Sequence, residues 1–354
     1  MNRRTLGILR SFACGVSLLL LVGAGPTGQV DKSDLQTLGL KYQFQELKQP
    51  RPNRVHILRV DFSTGKIKPV VVVGKDPDGG GPAETALTSP LKLAAGPSVL
   101  AFINTNPWDS FPDKAGKRNR NWYEGQPVNI SGVAASGGKT RSPAQANETS
   151  VWVDREGRVR MGRLPGLGKT PDEIPEADRV VEAMAGFQLI VKAGTVVPAA
   201  GGAVHPRTAI GVDRSGKVMW LVVVDGRQRR FSEGMNVHEL GQQMVKLGCW
   251  NAMNMDGGGS SVMGMANGKT GLRVVNSPSD RRLLRRALSA AESLARVTLR
   301  KQLRDLVASG KRTRQDARKQ YLKAFPTDRS NTPQYRIRPL PMVLTIRKTE
   351  ASPK

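Results

Sequence analysis

The sequence predicts an α+β fold: mixed, largely antiparallel β-sheets with a few packed helices, plus a basic helical insertion near the C-terminus. Three observations carry this expectation. Short β-branched and apolar runs recur along the chain, separated by Gly, Asn, Asp and Ser turns. A well-capped amphipathic segment stands between residues 236 and 247. After residue 280 the text becomes rich in Lys and Arg, with leucines at helical spacing.

The chain opens with "MNRRTLGILRSFACGVSLLLLVGAG", in which Arg3, Arg4 and Arg10 precede an apolar run from Phe12 to Val22. The run is shorter than the roughly 20 residues a spanning helix needs. A basic start, a short apolar stretch and a small-residue end are the marks of an export signal. Val22 and Ala24 suit cleavage after Ala24, so residues 1–24 are expected to be a signal peptide of a periplasmic or extracellular protein. An uncleaved membrane anchor is the alternative. Cleavage removes Cys14 and leaves Cys249 alone, so the mature chain has no internal disulfide and must be stabilised by packing.

Residues 25–53 are polar and are expected to form a tether. "RVHILRVDFSTGKIKPVVVV" from Arg54 resembles a hairpin turning at Ser63–Lys66. "AETALTSPLKLAA" is helix-like but interrupted by Pro90, and "SVLAFINTN" is a buried strand that delivers Asn104 and Asn106 at its end. Further strands are expected at "GQPVNISGV", "SVWVDREGRVRM" and "AGFQLIVKAGTVV", and a clear hairpin at "RTAIGVDRSGKVMWLVVVDGR". "GMNVHELGQQMVKLG" predicts a helix capped by Asn236 with Glu239 three residues on, burying Val237, Leu240, Met244 and Leu247. The body thus spans 54–280 and is completed by 336–348, with 281–335 inserted.

With 55 Lys+Arg against 29 Asp+Glu, the net charge of +26 favours anionic partners. Aromatic residues make up only 5%, and an exported protein seldom meets nucleic acid, so no nucleic-acid partner is expected. The insertion is either a solvated helical layer or an arm for anionic envelope polymer or a membrane surface, carried by 281–323.

The stretch with the most chemistry is "NMDGGGSSVM". In a strand, Ala252, Asn254 and Asp256 share one face while Met253 and Met255 point to the core. Gly257, Gly258 and Gly259 then let a ligand approach the backbone, with Ser260 as a donor beyond. The spacing lacks the terminal Lys-Ser/Thr of a phosphate loop and the frame of a serine nucleophile elbow. Asp256 is therefore the reactive candidate, with a plain turn aspartate as the alternative.

From "HPRT" to "NMDGGGSSVM" the sequence resembles the phosphodiester glycosidase family, the domain of the enzyme that uncovers mannose 6-phosphate. "MAGFQLIVKAGTVV", "VVNSPSD" and "RPLPMVLTI" are similar to flanking family segments, and the likeness extends from about Ser98 to Ile346 around the insertion. Two features depart from the pattern. The family's Asn-Gly-Gly-aromatic becomes "NTNPWD", and the basic insertion follows Asp280.

The resemblance implies hydrolysis between a sugar's anomeric carbon and a phosphodiester oxygen. That chemistry needs a carboxylate for the developing positive charge and cations for the departing phosphate. Asp256, His205 and Asp225 are the catalytic candidates. Arg207, Arg227, Asn104, Asn254, Gly257, Gly258, Gly259, Ser260 and Asp280 are the substrate-binding candidates, with Arg207 and Arg227 as the phosphate clamp. The expected partner is a sugar phosphodiester or phosphorylated glycan. No cofactor is expected, because no His or Cys cluster has metal-ligand spacing. Oxygen ligands from Asp225, Asp256 and Asp280 leave Ca²⁺ as a remote option. The rival reading is a non-catalytic binder of anionic envelope glycan on the same fold.

Overall fold

The computed structural model describes residues 32–349 apart from 113, 146–147, 165–179, 269–270, 281, 284–289 and 325–334. The expected signal peptide and the start of the tether lie outside the described residues. Among the described residues no helix is long and apolar enough to cross a membrane.

A seven-stranded sheet forms the centre, in the order Leu40–Leu47, Asn53–Asp61, Val218–Val224, Arg207–Val212, Asn251–Asn254, Gln188–Lys192 and Thr195–Val196. Every neighbouring pair in it is antiparallel. It is covered on both faces, which explains why "VMWLVVV" at Val218–Val224 is apolar throughout rather than alternating. On one face the helix Val237–Lys246 sets Leu240 and Met244 against Ile190, Ala209, Val222 and Ala252. The Asn236 side chain accepts from Glu239 N–H and the Glu239 side chain accepts from Asn236 N–H, so the predicted capping box is present.

On the other face, Leu58, Ile210, Leu221 and Met253 meet Ile103, Met263 and Leu344. These last three belong to a five-stranded antiparallel sheet ordered Leu272–Val274, Met263–Ala266, Val99–Asn104, Met342–Lys348 and Ile67–Val73. A second five-stranded sheet, ordered Val159–Gly162, Ser150–Val153, Glu182–Ala185, Ala134–Ser136 and Lys139–Ser142, adds Val151 and Met184 to the same core. The α+β, largely antiparallel class is the one the sequence predicts.

The structure corrects three local expectations. Residues 25–53 are not wholly a tether: Lys32–Thr37 is a helix and Leu40–Leu47 is the edge strand of the central sheet. Its first half alternates like a strand with one wet face, burying Leu40 and half-burying Tyr42 while Lys41 and Gln43 face outward. The Arg54–Val73 segment is not a hairpin. A short turn at Phe62–Thr64, capped by Asp61, carries the chain from the central sheet to the adjoining one, where Ile67–Val73 pairs with Met342–Lys348. Pro90 starts a four-residue helix, Pro90–Leu93, rather than interrupting one, because a proline's missing N–H is tolerated in the first turn.

Candidate active site

The glycine loop leaves the end of the central strand Asn251–Asn254 and is fastened by its neighbours before it turns. Met255 N–H donates to Thr208 C=O, Asp256 N–H to Thr105 C=O, and Gly258 N–H to Pro206 C=O, each at 2.9 Å. Asn104 is the central clamp. Its amide donates to the Asp256 carbonyl at 2.6 Å, and its oxygen accepts from Thr208 Oγ1 at 2.8 Å and Val262 N at 3.0 Å. Asn104 is buried and spent on this loop, so it shapes the site and does not present itself to a ligand. Asn106 serves the facing wall in the same way, bonding Ser131 and Val133 carbonyls and the Ala185 N–H.

Each glycine has its own reason to lack a side chain. A Cβ on Gly257 would stand 2.8 Å from the Pro206 carbonyl oxygen. Gly258 has φ of +62° and lies under Arg227, 3.0 Å from Nη1 to where its Cβ would be. A Cβ on Gly259 would stand 2.4 Å from Arg338 Nη2 and 2.6 Å from Asp280 Cβ. The bare loop therefore lets two guanidinium groups lie against the backbone next to Asp256.

Asp256 opens onto a cavity of about 470 Å³, whose wall includes Trp108, Trp122, Glu148, Phe187 and Arg338. Burial pushes the Asp256 carboxyl up to about 6, against the opposing pull of the Ser260 hydroxyl, Arg338, the Gly257 N–H and Arg227. Arg338 Nε donates to Asp280 Oδ2 at 2.8 Å and Nη1 to Ser260 Oγ at 3.3 Å. Asp280 thus fixes an arginine rather than facing a substrate. Of the other wall carboxylates, Glu148 takes the N–H groups of Val133 and Gln145, and Asp109 lies 3.4 Å from Arg118. The departure "NTNPWD" supplies Trp108, packed edge-on against Trp122 with ring centres 5.4 Å apart.

Arg227, with φ of +56°, places Nη2 at 3.5 Å from His205 Nδ1. Burial together with Arg227 and Arg207 depresses the His205 pKa, so the neutral ring accepts from Arg227. His205 is outside the cavity lining, as is Arg227. Arg207 donates to the carbonyls of Met235 and Ala203, both at 2.8 Å, which removes it from the expected two-armed grip.

Asp225 is not in the cavity. Its carboxylate is buried and accepts from Ser277 N at 2.8 Å and Asn276 Nδ2 at 3.0 Å, and meets His56 Nε2 at 3.2 Å, with Tyr42 Oη at 2.8 Å from the other His56 nitrogen. It joins the chain just before Arg227 to the segment leading to Asp280. Asn254 is also buried, with its side-chain oxygen unpartnered. The predicted set is therefore divided. Asp256, Arg227, Gly257–Gly259, Ser260 and Asp280 converge; His205 and Arg207 lie behind Arg227; Asp225, Asn104 and Asn254 are internal.

The residue that the sequence reading missed is Arg338. It begins the "RPLPMVLTI" segment, but its place opposite Asp256 depends on a pairing with Asp280 that spans 58 residues. Among the described residues no group of three or more His, Cys, Asp or Glu could hold a metal, and the proposed Ca²⁺ trio is scattered, since Asp225 is enclosed by its donors.

The sequence pattern of the phosphodiester glycosidase family matches residues 115–291, half of the chain, and includes His205, Arg227, Asp256 and Asp280. The chain belongs to the phosphodiester glycosidase family. The SPbeta prophage-derived uncharacterized protein YomE of Bacillus subtilis (strain 168) is 44% identical over 57 residues, 16% of this chain. The aligned part spans 8% of that relative's own length. Among solved structures, the catalytic domain of zebrafish N-acetylglucosamine-1-phosphodiester alpha-N-acetylglucosaminidase, auto-inhibited by its pro-peptide, is 19% identical with a TM-score of 0.46. That match covers 68% of this chain and 76% of the zebrafish chain. A hypothetical protein from Synechocystis is 16% identical with a TM-score of 0.46, covering 68% and 59% of the two chains.

Proposed function

We propose that the protein is an exported hydrolase that cleaves the glycosidic bond of a sugar 1-phosphodiester. The observation that carries this reading is Asp256, a carboxyl at the cavity wall beside Arg338, with Arg227 lying against the adjoining Gly258. Water adds to the anomeric carbon as the bond from that carbon to the phosphate oxygen breaks. The products are the free sugar and a phosphate monoester. The ionised Asp256 faces the positive charge that grows on the sugar ring, and Arg338, beside it at the wall, faces the negative charge that grows on phosphate, with Arg227 adding its charge from beside Gly258. A phosphate monoester departs with little help from an acid, which fits a site with Arg338 and Arg120 but no histidine at its wall. Trp108, Trp122 and Phe187 offer flat apolar faces for a sugar ring.

The test is reducing-sugar release from a panel of sugar 1-phosphodiesters by the exported fraction. Asp256→Asn should lower the rate at least about 100-fold with the fold intact. Full activity in that variant would remove the assignment, and binding of the panel without any turnover by the wild type would favour the binder. Recovery of the chain in the cytosolic fraction alone would withdraw export from the proposal.

A further inference from the structure

The inserted helices Ala290–Ala308 and Arg314–Ala324 contact each other and form a hairpin. Arg300 stacks over the Tyr321 ring at 5.0 Å across the pair, and Thr313 caps the second helix by accepting from Asp316 N–H at 3.1 Å. Between Arg300 and Lys323, nine exposed Lys and Arg stand against two exposed acids. A merely solvated helical surface intersperses both signs. This one is a concentrated positive field.

The chain leaves the body at Asp280 and returns at Arg338, and these two residues are bonded to each other, with Arg338 lining the cavity. Just beyond them Arg282–Leu283 pairs with Tyr335–Arg336 and closes the base of the insertion. The first helix alone extends about 28 Å at 1.5 Å per residue. The topology therefore roots a long basic arm on the very pair that borders Asp256.

We infer that this hairpin docks a linear phosphate-bearing polymer and feeds its sugar phosphodiester units to the Asp256 cavity, an inference that rests on the hydrolase reading above. Polymer fits better than a lipid surface. A helix that settles into a membrane shows large apolar side chains on one face, whereas in this hairpin Leu303 is buried and Leu299, Leu306 and Val307 are part-buried. Repeated phosphates at polymer spacing match separated cations along a helix, and their counterions are released on contact.

The experiment compares the full chain with a variant carrying Lys301→Gln, Arg304→Gln, Arg314→Gln and Lys319→Gln, all at exposed positions, with circular dichroism to verify helix content. Binding of long-chain inorganic polyphosphate is measured in the Asp256→Asn background, which excludes turnover. The unmodified hairpin should lose affinity about ten-fold or more between 50 and 200 mM salt, and the quadruple substitution should cost a similar factor at low salt. In the catalytically intact background, sugar release from a monomeric sugar 1-phosphodiester should be unchanged by the four substitutions. Equal polyphosphate affinity with and without them overturns the inference. So does tight sedimentation with anionic phospholipid vesicles that polyphosphate fails to displace, which would assign the arm to a membrane. If the wild type turns over no small phosphodiester yet the four substitutions abolish polyphosphate binding, the docking arm stands and the hydrolase reading alone fails.

Discussion

Glu182 offers a test of the architecture that is separate from catalysis. It lies buried in the strand Glu182–Ala185, where Oε2 accepts from Val71 N at 2.8 Å and Oε1 from Gly137 N at 3.1 Å. Val71 belongs to the edge strand Ile67–Val73, so the carboxylate satisfies an N–H that has no strand neighbour, while Ser136 Oγ donates to the Val71 carbonyl at 2.7 Å. Burial pushes Glu182 up to about 7, against the two N–H groups and the charges of Arg347 and Lys68. In the unfolded chain it titrates near 4.5. Between those values the folded state binds the proton more tightly, so stability is fullest below pH 4.5 and falls as pH rises through 7. A gap of about 2.5 units at about 1.4 kcal/mol each makes the loss roughly 3 kcal/mol. Glu182→Gln cannot ionise and should abolish this contribution, although the amide leaves one N–H facing a donor and should cost about 1–2 kcal/mol at every pH. Urea unfolding of both chains at pH 4.5, 6 and 8 isolates the effect: the stability of the wild type relative to the variant should fall by about 3 kcal/mol across that range, so that the variant becomes the more stable chain at pH 8. A constant difference between the two chains would show that Glu182 does not carry the proton, and the argument from burial would be wrong.

Two further predictions concern the site. Arg338 lowers the Asp256 pKa, so Arg338→Gln should move the acid limb of the kcat/KM profile to higher pH than the wild type's, which should lie near 6, and should reduce the plateau; an unmoved limb would refute the pairing. Asp225→Asn leaves one oxygen to receive what a carboxylate takes from Ser277 N–H, Asn276 and His56, and should destabilise the chain by about 2–3 kcal/mol in urea unfolding. An unchanged midpoint would return Asp225 to candidacy as a free catalytic group.

Local features were legible wherever one segment decides its own structure. The Val237–Lys246 helix follows from its cap and apolar face, and the Arg207–Val224 hairpin from its turn. The reading failed where the deciding partner is distant. "KYQFQEL" alternates clearly, but its first strand partner lies across a short link at Asn53–Asp61 and its low apolar content resembled a tether. Arg54–Val73 carries two strands and a turn, yet each strand finds its neighbours elsewhere, and periodicity names no partner. The same limit divided the site. Asp256 was visible because a carboxylate before three glycines is locally unusual. His56 meets Asp225 across 169 residues of sequence, and Arg338 acquires its place only through Asp280.

The three glycines gain their meaning from that second arginine. One of them avoids a carbonyl, one adopts a left-handed backbone beneath Arg227, and one makes room for the Arg338–Asp280 pair. A single guanidinium would require only one bare position above it. Two, brought from residues 227 and 338 onto a loop already fixed by Asn104 and Pro206, need the backbone itself as their floor. The Ser260 hydroxyl, Arg338, the Gly257 N–H and Arg227, in that order, oppose the burial that pushes the Asp256 pKa up to about 6. Arg338, which would receive a departing phosphate, is thus also among the groups that lower the Asp256 pKa, which makes its loss a change in pH dependence as well as in binding.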